Sequence, residues 1–222
     1  NIAIVYENNV PVGMSMKISA NGEERILQLR GVLGEAYAYP VLAAACVGLS
    51  KNSIDQVVES LKNHSAPKGR MNVLQGLNGS TLIDDNYNSS PDAASAAINV
   101  LQGLQCSGSK IAVLGDMMEL GKYAAAEHRQ IGMQAAHTVN RLVTVGQRSL
   151  LTALEAIKNG LPEQSVKSFD TSKEAAAYLK SIVQPGDIIL VKGSQSVRME
   201  RAAAALLREP EKAAKLLVRQ ER

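Results

Sequence analysis

An α/β fold, a Rossmann-like and mostly parallel sheet with helices on both faces, is what this sequence predicts, and three observations predict it. From residue 70 onward, short apolar runs alternate with longer amphipathic segments, the pattern of strands joined by right-handed helical crossovers. The runs Ile111-Ala112-Val113-Leu114, Leu142-Val143-Thr144-Val145 and Ile188-Ile189-Leu190-Val191 are nearly continuous in apolar residues, as strands covered on both faces are. Polar residues crowd directly after several of the strands, where an open parallel sheet presents its carboxyl edge to a ligand.

Taken in order, the chain opens on strands. Ile2 to Tyr6 is apolar, and Gly13 to Ile18 and Arg25 to Arg30 alternate in period two, with Asn21-Gly22 as a tight turn between them. Tyr37 to Leu49 is an Ala-rich apolar helix, and Ser53 caps a second helix to Lys62. Asn63 to Gly69 carries Ser, Pro and Gly and is the linker of the chain. Beyond it, strands are expected at Val73 to Gly76, Ser80 to Asp84, Lys110 to Leu114, Arg141 to Val145, Val166 to Phe169 and Asp187 to Val191. Helices are expected at Asp92 to Leu104, Tyr123 to Thr138, Leu150 to Asn159, Ser172 to Val183 and Ser196 to Leu207. Pro210 interrupts the last of these, and Glu211 to Arg222 reads as a charged, solvated final helix.

With 222 residues, 45% of them hydrophobic, the chain can bury a sizeable core. Its 24 basic and 21 acidic residues leave a net charge of only +3, with no long block of one sign, and aromatics are 3% with no Trp. That composition argues against a nucleic-acid partner, electrostatic or stacking. Cys46 and Cys106 lack CxxC spacing and read as two reduced thiols. No apolar run is long enough to cross a bilayer. The chain begins at Asn1 and is expected to be a piece of a longer protein, with the cytoplasm as its place.

The stretch Thr81-Leu82-Ile83-Asp84-Asp85-Asn86-Tyr87-Asn88-Ser89-Ser90-Pro91-Asp92 brings two carboxylates, an aromatic and several amides and hydroxyls to one strand end. Helix capping by Ser90-Pro91-Asp92 accounts for part of it. In a parallel sheet the other strand ends share that edge, so Asp85, Asn88, Asp116, Glu119, Lys192 and Ser194 are expected to converge there. Lys192-Gly193-Ser194 before a helix reads either as an anion cradle or as an ordinary capped turn. Asp116 and Glu119 could hold a cation or an ammonium, although no metal site is assigned. His128 falls within a helix as a packed or solvated side chain, and Arg70 follows the linker at a place from which it could reach a phosphate. Neither G-x-x-x-x-G-K-[ST] nor G-x-G-x-x-G after a strand is present, so this sequence has no P-loop.

Assembled, these residues resemble the Mur ligase family. The matching runs are Gly69-Arg70-Met71; Asp84-Asp85-Asn86-Tyr87-Asn88-Ser89-Ser90-Pro91; Leu114-Gly115-Asp116-Met117-Met118-Glu119-Leu120-Gly121 with His128 and Gly132; and Val191-Lys192-Gly193-Ser194 with Met199-Glu200. The helix with Leu42-Ala43-Ala44 is similar to the end of the family's central ATP-binding domain. The resemblance therefore implies residues 1–68 as a remnant of that domain and 69–222 as the carboxyl-terminal domain for the amino substrate.

For function, the resemblance implies a reaction in which ATP, with Mg2+, phosphorylates the terminal carboxylate of a UDP-muramoyl tripeptide. The amine of D-alanyl-D-alanine then attacks the acyl phosphate. Arg70, Asp85 and Asn88 would meet the nucleotide; Asp116, Lys192, Gly193 and Ser194 would line the dipeptide pocket. The catalytic and metal-binding groups would lie upstream, the piece alone would be inactive, and the enzyme would be a monomer without membrane or nucleic-acid partners. Ser89 stands where the family usually has Ala, Ser90 where it has Asn, and Ala36 and Pro40 where it has His and Asn. A non-catalytic α/β binding module, or a ligase for another amino substrate, is the alternative reading.

Overall fold

Residues 2–219 are described by a computed structural model. Two turns shape its first unit. Asn8 and Asn9 take φ of +50° and +64°, and Asn21 and Gly22 take +53° and +81°. Positive φ at both central residues is the turn geometry whose twist suits a two-residue hairpin. The strands β1 (Ile2–Glu7), β2 (Val10–Ala20) and β3 (Glu23–Arg30) accordingly form an antiparallel sheet in that order. Period-two alternation puts Met14, Met16 and Ile18 of β2 and Leu27 and Leu29 of β3 on one buried face. Helices α1 (Ala38–Leu49) and α2 (Ile54–Lys62) supply Val41, Ala45, Ile54, Val57 and Val58 to the same core. Ser53 caps α2 as expected, in a reciprocal capping box with Gln56. By contrast α1 is apolar all round yet buries only Val41 and Ala45; Tyr39 is 78% exposed, Leu42 42% and Val47 76%.

The second unit is a six-stranded sheet of β4 (Asn72–Gln75), β5 (Thr81–Asp85), β6 (Lys110–Gly115), β7 (Arg141–Val145), β8 (Val166–Phe169) and β9 (Ile188–Lys192). The order is β4-β5-β9-β6-β7-β8; β4 pairs antiparallel with β5, and every other pair is parallel. Helices α3 (Pro91–Gly103), α4 (Ala124–Ala136), α5 (Leu150–Lys158), α6 (Ser172–Ile182) and α7 (Glu200–Leu206) link or follow the strands. Alternate residues serve two layers. Ile83, Ala112, Leu114, Leu142, Ile188 and Leu190 pack with α3, α4 and α5, while Leu82, Ile111, Val113, Val143, Ile189 and Val191 pack with α6 and α7.

Two expectations are corrected. The last long helix does not begin at Ser196: Gln195–Val197 is a single 3-10 turn, Arg198 takes a left-handed φ of +59°, and α7 starts only at Glu200. A left-handed non-glycine residue ends one helical stretch before the next can start. Nor is the tail simply a solvated helix. After a 3-10 turn at Pro210–Lys212 comes only the short α8 (Ala213–Leu216), and Leu217 beyond it is buried in the α6–α7 layer. The rest of that expected helix, residues 220–222, lies outside the described residues.

Candidate functional site

The last strand in sequence, β9, is inserted between β5 and β6, so its carboxyl end meets both. Register places Lys192 beside Asp85 on one side and Leu114 on the other. Asp85 and Lys192 continue the face of Ile83 and Leu190, toward α3. There the Lys192 ammonium, 2% exposed, donates to Asp85 Oδ2 at 2.6 Å and to the Asn88 carbonyl at 3.0 Å. The other oxygen, Oδ1, accepts the Met71 amide at 3.1 Å. A single carboxylate thus ties the strand end to the segment joining the two units. Burial pushes the Asp85 carboxyl up, and Lys192 opposes that shift.

That joining segment is tightly fixed. Gly69 takes φ +68°, and a Cβ there would lie 2.9 Å from the Tyr87 nitrogen; the Gly69 carbonyl accepts the Tyr87 amide. Met71 is also left-handed, at φ +49°. The Arg70 guanidinium lies 4.4 Å from the centre of the Tyr87 ring, within cation–π range. From the first unit the Tyr37 hydroxyl donates to the Arg70 carbonyl at 2.9 Å. Burial, reinforced by the charge of Asp85 and opposed by Arg70, pushes the Tyr37 hydroxyl up to about 12, which keeps it a neutral donor.

Between the units runs a cleft of about 850 Å³. Arg70, Asp85 and Lys192 line its charged part, with Glu35, Tyr37 and His64 from the first unit; Ala93, Ala97 and Val100 of α3 form an apolar wall. The other four expected site residues are absent from its lining. Asn88 is exposed, and its side chain accepts the Ser89 amide. Asp116 is buried; its Oδ1 accepts the Ser149 amide at 2.7 Å, and Arg148 lies 3.7 Å from Oδ2. Ser194 Oγ accepts the Met118 amide at 2.9 Å and donates to the Ser89 carbonyl at 3.3 Å. A Cβ on Gly193 would meet Met199 at 2.7 Å and the Gly115 backbone at 3.0 Å, so close packing explains this glycine. The anion cradle at a helix start is not formed, because α7 begins six residues after Ser194.

The family model described as Mur ligase, glutamate ligase domain, matches residues 69–195. The chain belongs to the Mur ligase family. All seven candidate residues of this Mur ligase chain fall within the matched span. A UDP-N-acetylmuramoyl-tripeptide–D-alanyl-D-alanine ligase of Mycobacterium leprae is 33% identical over 196 residues, covering 80% of this chain and 38% of the relative. The enzyme of that name in Escherichia coli K12 is 32% identical over 169 residues, covering 74% and 35%. The chain thus spans well under half the length of these curated relatives. Among solved structures, MurF from Acinetobacter baumannii superposes with a TM-score of 0.75 at 29% identity, over 91% of this chain and 43% of that one. MurF from Thermotoga maritima in complex with ADP gives 0.74 at 22% identity, over 96% and 46%, a likeness of fold.

Sequence reasoning passed over Tyr37 and the α3 wall. Small residues recurring at 93, 96, 97 and 103, on one helical stripe, were the available signal for the wall. Tyr37 carried none beyond its place between the Ala36 and Pro40 departures. Among the described residues, no group of three His, Cys, Asp or Glu side chains could hold a metal ion, and no helix is long and apolar enough to cross a membrane.

Proposed function

We propose that this chain is the carboxyl-terminal part of a cytoplasmic, monomeric ligase that adds D-alanyl-D-alanine to UDP-N-acetylmuramoyl-tripeptide during peptidoglycan precursor synthesis. Residues 1–68 form the end of the central nucleotide-binding domain, and 69–222 the domain for the amino substrate. The names of the relatives support the reaction. The observation that carries the reading is the interdomain cleft, where Arg70 and Lys192 bring two cations and Asp85 a carboxylate to the carboxyl edge of the sheet. The exposed apolar face of α1 supports the division: a helix apolar all round belongs in an interior, and a larger central domain would cover Tyr39, Leu42 and Val47.

ATP with Mg2+, bound mainly by the upstream region, would activate the tripeptide carboxylate as an acyl phosphate. In the donor set here Arg70 fits the phosphate end of a nucleotide, while Lys192, which begins the turn of Gly193 and Ser194, suits the carboxylate of the dipeptide. Asp85 holds the Met71 amide and so fixes the posture of the joining segment that carries Arg70. Asn88, exposed on the same turn but outside the cleft lining, would meet the nucleotide when the domains close. The turns that hold Asp116, Gly193 and Ser194 deliver the dipeptide amine, and closure of the domains keeps water from the activated carbonyl.

The test is a ligation assay with ATP, the UDP-muramoyl tripeptide and D-alanyl-D-alanine. The full-length gene product should form the amide with ADP, and the 222-residue chain alone should form none. Product from the chain alone would overturn the assignment of the catalytic parts upstream. Turnover with a single amino acid in place of the dipeptide would reassign the amino substrate, and binding without turnover by the full-length product would identify a binding module.

A further inference from the structure

The turn after β6 spends three consecutive backbone amides internally. Asp116 N donates to the Val145 carbonyl, Met117 N to His128 Nε2 at 3.0 Å, and Met118 N to Ser194 Oγ at 2.9 Å. Two of these partners belong to neighbouring strand ends. The third, His128, comes from the second turn of α4, is 1% exposed, and has no part in the proposed chemistry. Its other ring nitrogen, Nδ1, lies 2.7 Å from the Ala124 carbonyl. A carbonyl only accepts, so Nδ1 must carry the proton, which leaves Nε2 bare to accept the Met117 amide. Both contacts therefore demand one neutral tautomer. The α4 backbone at this residue is itself held, since Thr152 of α5 donates its hydroxyl to the His128 carbonyl at 2.9 Å. One turn further along, Gly132 lets the helices touch: a Cβ there would lie 2.3 Å from the Thr152 carbonyl oxygen.

We propose that His128 is the positioning residue of this turn: a single Nδ1-protonated tautomer, fixed by the Ala124 carbonyl of its own helix, holds the Met117 amide and thereby aims the adjoining Asp116 carboxylate. Asp116 is fixed on its other side by the Ser149 amide and by its own carbonyl, which accepts the Ser194 amide. Losing the His128 contact would free the one amide of the three that no strand end holds. The consequence for the amino substrate rests on the ligase reading above; the tautomer and the hold on Met117 do not.

The test begins with the imidazole nitrogen-15 spectrum of the 222-residue chain near neutral pH. A protonated Nδ1 and a bare Nε2 are expected for His128, and a proton on Nε2 would overturn the proposal. Two variants of similar size follow. The side-chain oxygen in His128→Gln reaches the place of Nε2, whereas the shorter amide in His128→Asn reaches only the place of Nδ1. Hydrogen exchange at Met117 should speed up about tenfold or more in H128N, as expected for a lost buried hydrogen bond, and return close to wild type in H128Q. A space-filling role would rank the two variants alike, and that result would overturn the proposal. In the full-length ligase, H128N should raise the dipeptide KM several-fold over H128Q and leave the nucleotide KM unchanged. Equal dipeptide KM values alongside an exposed Met117 amide would remove the positioning role. A protein without ligase activity would fail the reading above while the spectrum and the exchange data still judge His128.

Discussion

Asp85 and Lys192 form a buried ion pair of 2.6 Å at the ends of adjacent parallel strands, and the same carboxylate holds the Met71 amide between the two units. The pair joins residues for which the family resemblance implies different ligands, the nucleotide for Asp85 and the dipeptide for Lys192. An anion entering the cleft would meet a lysine already engaged by Asp85, the carboxylate that also holds the Met71 amide.

Removing one partner of this pair should cost more than removing both. Lys192→Met leaves a buried carboxylate without its cation, an effect of about 3–5 kcal/mol. Asp85→Asn with Lys192→Met should recover part of that loss, because no unpaired charge remains. Urea unfolding of the two single variants and the double variant checks this, and additive losses would show that the pair is not coupled. In the full-length ligase, Lys192→Met should raise the KM for the dipeptide, and an unchanged value would take Lys192 out of its pocket.

Asp84, the neighbour facing the opposite layer, predicts a pH dependence. It is fully buried, and neither carboxylate oxygen has a well-formed hydrogen bond. Burial, then the charge of Asp85, pushes its carboxyl from 3.8 to about 7, against the pull of the Gly69 and Asn86 amides. Between those two values the folded chain keeps a proton that the unfolded chain releases. Stability should therefore fall as pH rises from about 4 to about 7, by up to about 4 kcal/mol from this group. Asp84→Asn should flatten that dependence and stabilise the chain above pH 7. Urea midpoints at pH 5 and pH 8 decide it; an Asp84→Asn chain with an undiminished pH slope would place the effect elsewhere.

Why Asp84 and Asp85 differ was only half legible. Strand alternation assigns the two to opposite faces, yet no local pattern shows that β9, more than a hundred residues later, brings Lys192 to one of them alone. Most strands of the sheet were readable because burial on both faces leaves continuous apolar runs; β7 and β8 begin and end where expected, β7 on such a run and the edge strand β8 with Val166 and Phe169 flanking two exposed polar residues. The start of α7 was not, because nothing in Gln195-Ser196-Val197-Arg198 announces a left-handed arginine. For the site, the edge was predictable from topology, but its division into Arg70, Asp85 and Lys192, which line the cleft, and Asp116 and Ser194, which tie turns together, depends on side-chain contacts between distant turns.

Gly69→Ala should weaken the joining segment. The position needs φ +68°, and the added methyl would crowd the Tyr87 amide at 2.9 Å. Left-handed strain in a non-glycine residue costs about 1–3 kcal/mol. The loss should appear in thermal unfolding, and hydrogen exchange at Tyr87 should rise because its amide is bonded to the Gly69 carbonyl. A variant with wild-type stability and unchanged exchange would mean that the segment relaxes freely.

Ser194→Ala tests the knitting of the turns. The hydroxyl is buried, accepts from the β6 turn at Met118 and donates to the β5 turn at Ser89. Its removal strands a backbone N–H, which costs about 1–3 kcal/mol where water cannot replace the partner. If the hydroxyl also meets the dipeptide, the KM for D-alanyl-D-alanine should rise beyond what Met118 release alone produces. Ser194→Cys separates the two contributions, since a thiol fills the space but accepts weakly. Wild-type KM in both variants, with the stability loss present, would leave Ser194 as a clip between turns and remove it from the dipeptide pocket.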